Sequence, residues 1–397
     1  MSIPVAEHPY IRVTIDTRGM QPVVTRAFGN VAIVGDAAGF GEAAPGEPVM
    51  IGSEADARRL FADTDASGAI SNGGADAGPL YRSLRDLLQQ SPGPSRIYAV
   101  AAPDNAGAPD FPAALAALTP APVQFVCLAR TTDPVVLEAL AQHVADASTG
   151  GNKRMGVAMV DPDLAVAAGS TYADAAADAY TDLESAQGRM VLVAARVATT
   201  AGAPDVDAAA ATMGAIAGYR PHISVLLKQV REVPVPIARQ FTGSEVQQLA
   251  EKAIMPLIDP ELVAGTGVFI GSGRSFNSAD PARLYVDVVR VLDDIEFRLK
   301  AGLIGVIGNV RIDRLGMQGL IGRIDAILSP LVTARVLDGY VVDVPLLPIL
   351  ETEEADRSPG SAQTLTNART SRVVEVLLTV TYAGSIHFLD ITMALKA

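Results

Sequence analysis

The 397-residue chain has one cysteine, four histidines and no tryptophan. A single thiol excludes an intramolecular disulfide. Cys127 sits in the apolar run Val123-Gln-Phe-Val-Cys-Leu128 and reads as a small buried hydrophobe rather than a nucleophile. No cysteines and histidines recur at metal-ligand spacing, so neither a metal centre nor a cofactor is expected. Basic residues are also in short supply. The 31 Lys and Arg against 44 Asp and Glu leave a net charge of -13. No Lys/Arg cluster stands out against it, which argues against nucleic acid and anionic membranes as partners. No run reaches the ~18 apolar residues of a membrane span. The opening Met-Ser-Ile-Pro-Val-Ala-Glu-His lacks a basic region followed by an apolar core, so no signal peptide is expected and the chain should fold in a cytoplasm.

What is present is ample core material, with 49% hydrophobic and 19% charged residues over a length that suits two or three domains. Tyr10 to Asp16 alternates strictly, with Ile11, Val13 and Ile15 on one face, as a half-buried strand does. Asn30 to Gly35 is a short apolar run bounded by glycines, the mark of a buried strand. Val49 to Ile51 leads to a Ser53 cap, with Asp56 in the first turn and a helix through Phe61. Leu80, Leu84, Leu87 and Leu88 recur at helical spacing, and Pro92-Gly93-Pro94 breaks the chain before the strand Arg96 to Val100. Strand and helix go on alternating through Val123–Leu128, Pro134–Ala147, Met155–Val160, Tyr172–Ala186, Met190–Ala195 and Val206–Ala217. That order predicts an α/β layer on a largely parallel sheet. Residues 102–120 and 161–171, rich in Ala, Pro, Gly and Asp, read as loops.

The last third has a different texture. Asp280 and Pro281 start a helix from Ala282 to Ala301, with Leu284, Val288, Val291, Leu292, Ile295 and Leu299 as its apolar stripe. Asp287, Arg290, Asp293, Asp294, Glu296 and Arg298 are assigned to the opposite, solvated side. A second helix is predicted over Leu315–Leu328, a strand over Gly339–Val344 and a polar loop over 351–370. Arg372–Tyr382 places Val374, Val376, Leu378, Val380 and Tyr382 on one face. After a turn at Ala383-Gly384, Ser385–Leu395 does the same with Leu389, Ile391, Met393 and Leu395, so the two runs read as a terminal β-hairpin.

The candidate motifs for chemistry are incomplete. Gly35-Asp-Ala-Ala-Gly-Phe-Gly41 follows a strand but has neither the dinucleotide fingerprint nor the lysine of a phosphate loop. Ser148-Thr-Gly-Gly-Asn-Lys153 lacks a hydroxyl residue after its lysine and reads as a helix-to-strand connection. Gly271-Ser-Gly-Arg-Ser275 is not a nucleophile elbow. His8, His143, His222 and His387 are scattered over elements that do not converge on a serine. The adjacent pairs Asp293-Asp294 and Glu353-Glu354 read as solvated charge.

Taken in order, Gly273-Arg274-Ser275, Asp280-Pro281, Tyr285, Arg290, Ile295-Glu296, Asn309 and the helix from Leu315 resemble the C-terminal region of contractile tail sheath proteins. The strand Asn30–Gly35, the segment Gly78-Pro-Leu-Tyr-Arg-Ser-Leu84, the strand Arg96–Val100 and the run Val206–Ser224 are similar to the family's N-terminal half and middle. Ser272 stands where the family has glycine, and Val306-Ile-Gly308 replaces the usual aromatic-acid-Pro before the Asn.

The resemblance implies an α/β, multi-domain protein with α/β layers, a C-terminal α+β sheath domain and extended N- and C-terminal β arms. It divides the chain into a linking arm (1–22), an N-terminal α/β part (23–101), a middle α/β domain (102–265) and a C-terminal sheath domain with the terminal hairpin or arm (266–397). It implies a structural subunit, not an enzyme, that polymerises helically around an inner tube by exchanging β-strands and contracts to drive the tube through an envelope. Its partners would be other copies of itself, the tube protein, and baseplate and tail terminator proteins. It would reside in a virion tail assembled in host cytoplasm, or in a cytoplasmic injection particle. The exchanging residues would be Ile11, Val13 and Ile15 at one end, and Val374, Val376, Leu378, Val380, Leu389, Ile391 and Met393 at the other. Arg311, Arg314 and Arg323 either touch the tube or are ordinary solvated helix charge. The competing reading is a cytosolic α/β enzyme for a nucleotide or sugar phosphate, which needs convergent polar groups in a crevice at strand ends.

Overall fold

The computed structural model describes residues 27–71, 77–260 and 267–387. Fifteen strands and eleven α-helices follow one another in these segments. The first half runs β1 (Asn30–Gly35), β2 (Val49–Ile51), α1 (Glu54–Phe61), α2 (Pro79–Leu88), β3 (Arg96–Ala101), β4 (Asp104–Asn105), β5 (Ala108–Pro109), α3 (Phe111–Ala117), β6 (Phe125–Leu128), α4 (Pro134–Thr149) and β7 (Met155–Met159). There follow α5 (Tyr172–Ala179), β8 (Met190–Ala194), β9 (Thr199–Thr200), β10 (Ala203–Pro204), α6 (Ala208–Ala217), β11 (Gln229–Val230), α7 (Gly243–Glu251), β12 (Met255–Ile258) and β13 (Val268–Ile270). The rest is α8 (Val286–Leu303), α9 (Arg314–Thr333), β14 (Leu337–Asp343), α10 (Leu346–Glu351), α11 (Pro359–Ser371) and β15 (Leu377–Tyr382).

Nine strands form one sheet in the order β11-β13-β12-β8-β7-β6-β1-β3-β2. Its centre is parallel, from β12 through β8, β7, β6 and β1 to β3. Antiparallel β2 closes one side, and antiparallel β13 and β11 close the other. The central strands are apolar end to end because helices cover both faces. Ile33, Cys127, Val157 and Val193 point to the side of α1, α2 and α6. Ala32, Val126, Ala158 and Leu192 point to the side of α3, α4, α5 and α7. Cys127 is fully buried, and that burial pushes its thiol pKa well above the usual range.

Local rules account for the helix starts. Ser53 accepts from the Asp56 backbone N–H at 3.2 Å, as its position predicts. Thr242 and Glu245 form a reciprocal capping box on α7. Asp133 and Pro134 open α4, the acid accepting from Val135 N.

The chain divides into two compact units. One holds Ala27–Glu296, Ala334–Gly339 and the chain from Val380, and contains the nine-stranded sheet. The other holds Phe297–Thr333 and Tyr340–Thr379. In that second unit Met317 of α9 packs with Val344, Leu346, Leu350 and Leu365. The boundaries read from the sequence at 101/102 and 265/266 both fall inside the first of these units. Strands β1, β2 and β3 before the first cut, β6, β7, β8, β11 and β12 between the cuts and β13 after the second are hydrogen-bonded into one sheet. A short crossover is indistinguishable in sequence from a linker when the partner strands are far apart along the chain.

Three further expectations change. Residues 359–371 are the helix α11, capped by Ser358 and started by Pro359, where a polar loop had been read. Residues 102–120 include α3, capped by Asp110. The strand after Arg372 begins at Leu377 and pairs with β14, some forty residues earlier, while most of the expected hairpin's second arm lies outside the described residues. Ser385 to His387 carries no strand, and Leu389, Ile391 and Met393 lie outside the described residues.

Candidate functional site

The glycine-rich segment that carries the sheath resemblance is a folding device. As β13 ends, Gly271 N donates to Pro256 O at 2.8 Å and the Arg274 guanidinium caps the end of α7 through Ala250 O at 2.8 Å. Ser275 is fully buried; its N–H donates to Leu284 O and its hydroxyl to Arg283 O at 2.9 Å. Asn277 Oδ1 accepts from the Ala279 and Asp280 N–H groups, and Asp280 accepts from Ala282 N. Arg274 bridges antiparallel to Tyr285. The run thus folds back on itself and delivers the chain into α8, and Ser275 has no freedom to act as a nucleophile.

The face of α8 bears out part of the sequence reading, with Val291 and Ile295 of the apolar stripe buried, and corrects the rest. Val286, Asp287, Val289, Arg290 and Asp293 are buried, whereas Leu292, assigned to the apolar stripe, is 38% exposed. The charges are inside because each has a partner there, Asp287 through one carboxylate oxygen only. Arg290 donates to Ile216 O at 3.2 Å and to Tyr219 O at 2.6 Å, with its guanidinium over the Phe125 ring. Asp293 receives two hydrogen bonds from Arg189. Asp287 accepts the Tyr382 hydroxyl at 2.6 Å, and burial together with this carboxylate raises the phenol's pKa. The pair Asp293-Asp294 is therefore not simply solvated, since Asp293 is an interior residue.

The crevice where an α/β enzyme holds its ligand is filled by the chain itself. The sheet changes direction between β1 and β6. Beyond their C-terminal ends Arg130, at φ 49°, donates through Nη2 to Asp86 Oδ2 at 3.3 Å and through its backbone N–H to Asp207 Oδ2 at 2.8 Å. Ser83 donates to Asp207 at 2.6 Å and the Asp207 N–H to Asp86 at 2.9 Å. Burial raises the Asp86 pKa. In the neighbouring Gly35–Gly41 loop the glycines have packing reasons. A Cβ on Gly35 would lie 2.5 Å from that of Ala129, and one on Gly41, at φ 70°, would lie 2.3 Å from Leu60 O.

A cleft of about 480 Å³ lies beside Arg274, lined also by Glu184, Glu251, Lys252 and Phe276. Three of its charged groups are engaged: Glu184 by Ser278, Lys252 by Asp174 at 2.8 Å and Arg274 by Ala250 O. Among the described residues no cluster of His, Cys, Asp and Glu could hold a metal ion, and no helix is long and apolar enough to cross a membrane.

The sequence reading missed one pairing. His387 Nε2 lies 2.9 Å from Ser224 Oγ, 163 residues away, and its ring meets Tyr285 edge-on at 4.7 Å. The nearby carboxylate, Asp287, is held by Tyr382. His143 instead accepts from the buried Arg154 at 2.8 Å, and Lys153 pairs with Glu296 at 3.4 Å, so the Ser148–Lys153 cluster serves as a connection.

Of the residues assigned to assembly, Ile11, Val13 and Ile15 lie outside the described residues, as does His8. From Val373 to Tyr382 exposure alternates, with Val374, Val376, Leu378, Val380 and Tyr382 half-buried. Val374 and Val376 pack against the Met317 cluster. Arg311, Arg314 and Arg323 are all exposed. On α9, however, Arg314 and Arg323 are about two and a half turns apart and project from opposite sides of the buried stripe Met317, Leu320, Ile324, Ile327, Leu328 and Leu331. Ile304, Ile307 and Leu315 are exposed near Arg311 in sequence, at 69%, 76% and 77%.

No protein-family model matches the sequence, and no curated protein does. Solved structures do. The chain matches one from the anti-feeding prophage (AFP) helical sheath in its contracted state at 15% identity and a TM-score of 0.63, over 99% of this chain and 100% of that one. A chain of the PVC sheath complex, an extracellular contractile injection system in its contracted state, matches at 14% identity and a TM-score of 0.64, over 99% of each. The sheath tail protein of Desulfitobacterium hafniense matches at 12% identity and a TM-score of 0.57, over 84% and 93%. This chain thus has the α/β fold of contractile sheath proteins. Within that class its likeness extends across nearly the whole of the AFP and PVC sheath chains.

Proposed function

We propose that the protein is the structural subunit of a contractile sheath, which polymerises helically around an inner tube and contracts to drive it through a target envelope. The observation that carries this reading is the reciprocal full-length correspondence with sheath chains, since a fold shared only in its α/β layer would leave the second unit unmatched. The filled switch-point crevice also favours it over a nucleotide or sugar-phosphate enzyme.

In this reading copies are joined by added strands. A two-stranded ribbon of β14 and β15 offers main-chain hydrogen-bonding groups on its outer edges, as strand augmentation requires. Ile11, Val13 and Ile15 would come from one copy and Leu378 and Val380 from another, with Leu389, Ile391 and Met393 extending the same end. Val374 and Val376 tie that strand to the second unit's core. Arg311 and Arg314, with the exposed Ile304, Ile307 and Leu315, are the surface proposed for the tube, and Arg323 would reach it from the other flank of α9. Baseplate and terminator proteins would cap the polymer, in a virion tail or an injection particle assembled in the cytoplasm.

Electron microscopy of the purified protein tests the reading. Hollow helical sleeves are expected. Discrete monomers or small closed rings at all protein and salt concentrations would overturn it.

A further inference from the structure

Tyr382, at the end of β15, and His387, five residues on, both contact the start of α8 and the turns beside it. The phenol reaches the 2% exposed Asp287 at 2.6 Å. The imidazole bridges Ser224 Oγ and the Tyr285 ring, with Gly273 so close that an added Cβ would stand 3.4 Å from Cε1. Between them Ala383 N donates to Val336 O at 3.3 Å. All of these residues belong to the larger unit. A hydrogen bond to a buried carboxylate is among the stronger neutral-to-charged kinds, and this one reaches Asp287 Oδ2 while the buried Oδ1 has no donor, so among the described residues Tyr382 supplies this group's only side-chain partner.

We infer that Tyr382 and His387 form a clamp that anchors the C-terminal segment to α8. Its purpose rests on the sheath reading: when a neighbouring copy pulls on the segment beyond His387, the load passes into Asp287 and Tyr285 at the head of α8. From there it passes along the same helix to Arg290 and Asp293, which are fastened to Ile216, Tyr219 and Arg189. Without the clamp, tension would peel β15 from β14 before it moved the body. The clamp is thus a positioning device for the exchanged segment, and Ser224 with His387 is part of it rather than a catalytic dyad.

Hydrogen exchange on the full-length protein tests the clamp independently of polymerisation. Tyr382→Phe and His387→Ala are compared with the unmodified chain, singly and together, with peptides from β1, β6 and β8 reporting that the body stays folded. Amides of residues 380–387 are expected to exchange about tenfold or more faster in the double variant, since each bond lost releases a local opening. Should Tyr382→Phe unfold the body by stranding Asp287, the pair Asp287→Asn with Tyr382→Phe removes the charge, and His387→Ala alone remains readable. Exchange over 380–387 within twofold of the unmodified chain in the folded variants would overturn the clamp. Sleeves are imaged in parallel. Absence of sleeves from the unmodified protein overturns the sheath reading and the load-bearing purpose, and leaves the anchor to be decided by the exchange rates.

Discussion

Arg189 and Asp293 meet in a two-pronged ion pair, Nη1 to Oδ2 at 2.7 Å and Nη2 to Oδ1 at 2.9 Å, with under a tenth of either side chain exposed. The pair joins the residue before β8 to the middle of α8. Asp293→Ala would leave a buried guanidinium without its counter-charge, and is expected to destabilise the larger unit by about 3–5 kcal/mol. Exchanging both residues, Arg189→Met with Asp293→Leu, should recover most of the loss because no charge then stays buried. Urea denaturation of the two variants and the unmodified chain measures this. A single substitution as mild as the double would show that the pair is not what holds α8 there.

Val376→Asp with Leu378→Asp puts two carboxylates on the half-buried face of the C-terminal strand, where an unpaired charge costs several kcal/mol. The expected product is insoluble or monomeric protein, checked by sedimentation and microscopy. Assembly at the unmodified yield would contradict the assignment of that face.

Deleting residues 1–18 removes the alternating run of Ile11, Val13 and Ile15, which the sequence pattern predicts to be a strand. Circular dichroism should report a folded body, and microscopy should find no sleeves. Sleeves of normal length would mean that this segment is not a link between copies.

Stability should fall on acidification in a window set by His143. Burial, helped by the charge of Arg154 and opposed by Asp146, lowers its pKa from 6.5 to about 4. A lowered base pKa means that the unfolded chain takes up the proton first. The contribution is therefore complete above pH ~6.5 and is lost as pH falls toward ~4. Asp86, whose pKa burial raises, works in the other sense, favouring the fold as it protonates. His143→Gln keeps an acceptor for Arg154 but does not titrate. Its urea midpoint should change less between pH 7 and pH 5 than that of the unmodified chain, and equal changes would exclude His143 as the source.

Contraction should need no nucleotide, divalent metal or small substrate, because two lattices of different free energy suffice. Extended particles prepared with chelator and without nucleotide are imaged before and after mild acid or denaturant. Shortened, widened sleeves are expected. A strict requirement for metal or nucleotide would mean that a site exists which neither the sequence nor the described residues reveal.

Much of the larger unit was legible because its signals are local. Apolar runs such as Val31–Val34 and Met190–Ala194 have few alternatives to a doubly covered strand, and Ser53 and Asp280 mark element starts by the bonds their side chains make. The errors arose where the decisive partner is distant in sequence. Nothing near Arg290 indicates that Tyr219 and Phe125 will surround it, so the charged side of α8 read as its exterior. For the same reason the pairing of β15 with β14 and the meeting of Ser224 with His387 were hidden. Helix α11 was missed because only Leu365 of its thirteen residues is buried, which leaves almost no apolar periodicity to detect.

The margins of the nine-stranded sheet are short: β2 has three residues and β11 two. A protein made in many copies that binds its neighbours by donating strands runs a constant risk of pairing them in the wrong place, since any long, flat border will accept any extended segment. Borders this short give a stray strand almost nothing to zip along, while β14 and β15, at seven and six residues, give a proper one enough. Under the proposed sheath function, fidelity of assembly would then be decided by length: the large sheet would be disqualified as a template, and crowded copies would be steered away from tangled aggregates toward one ordered lattice.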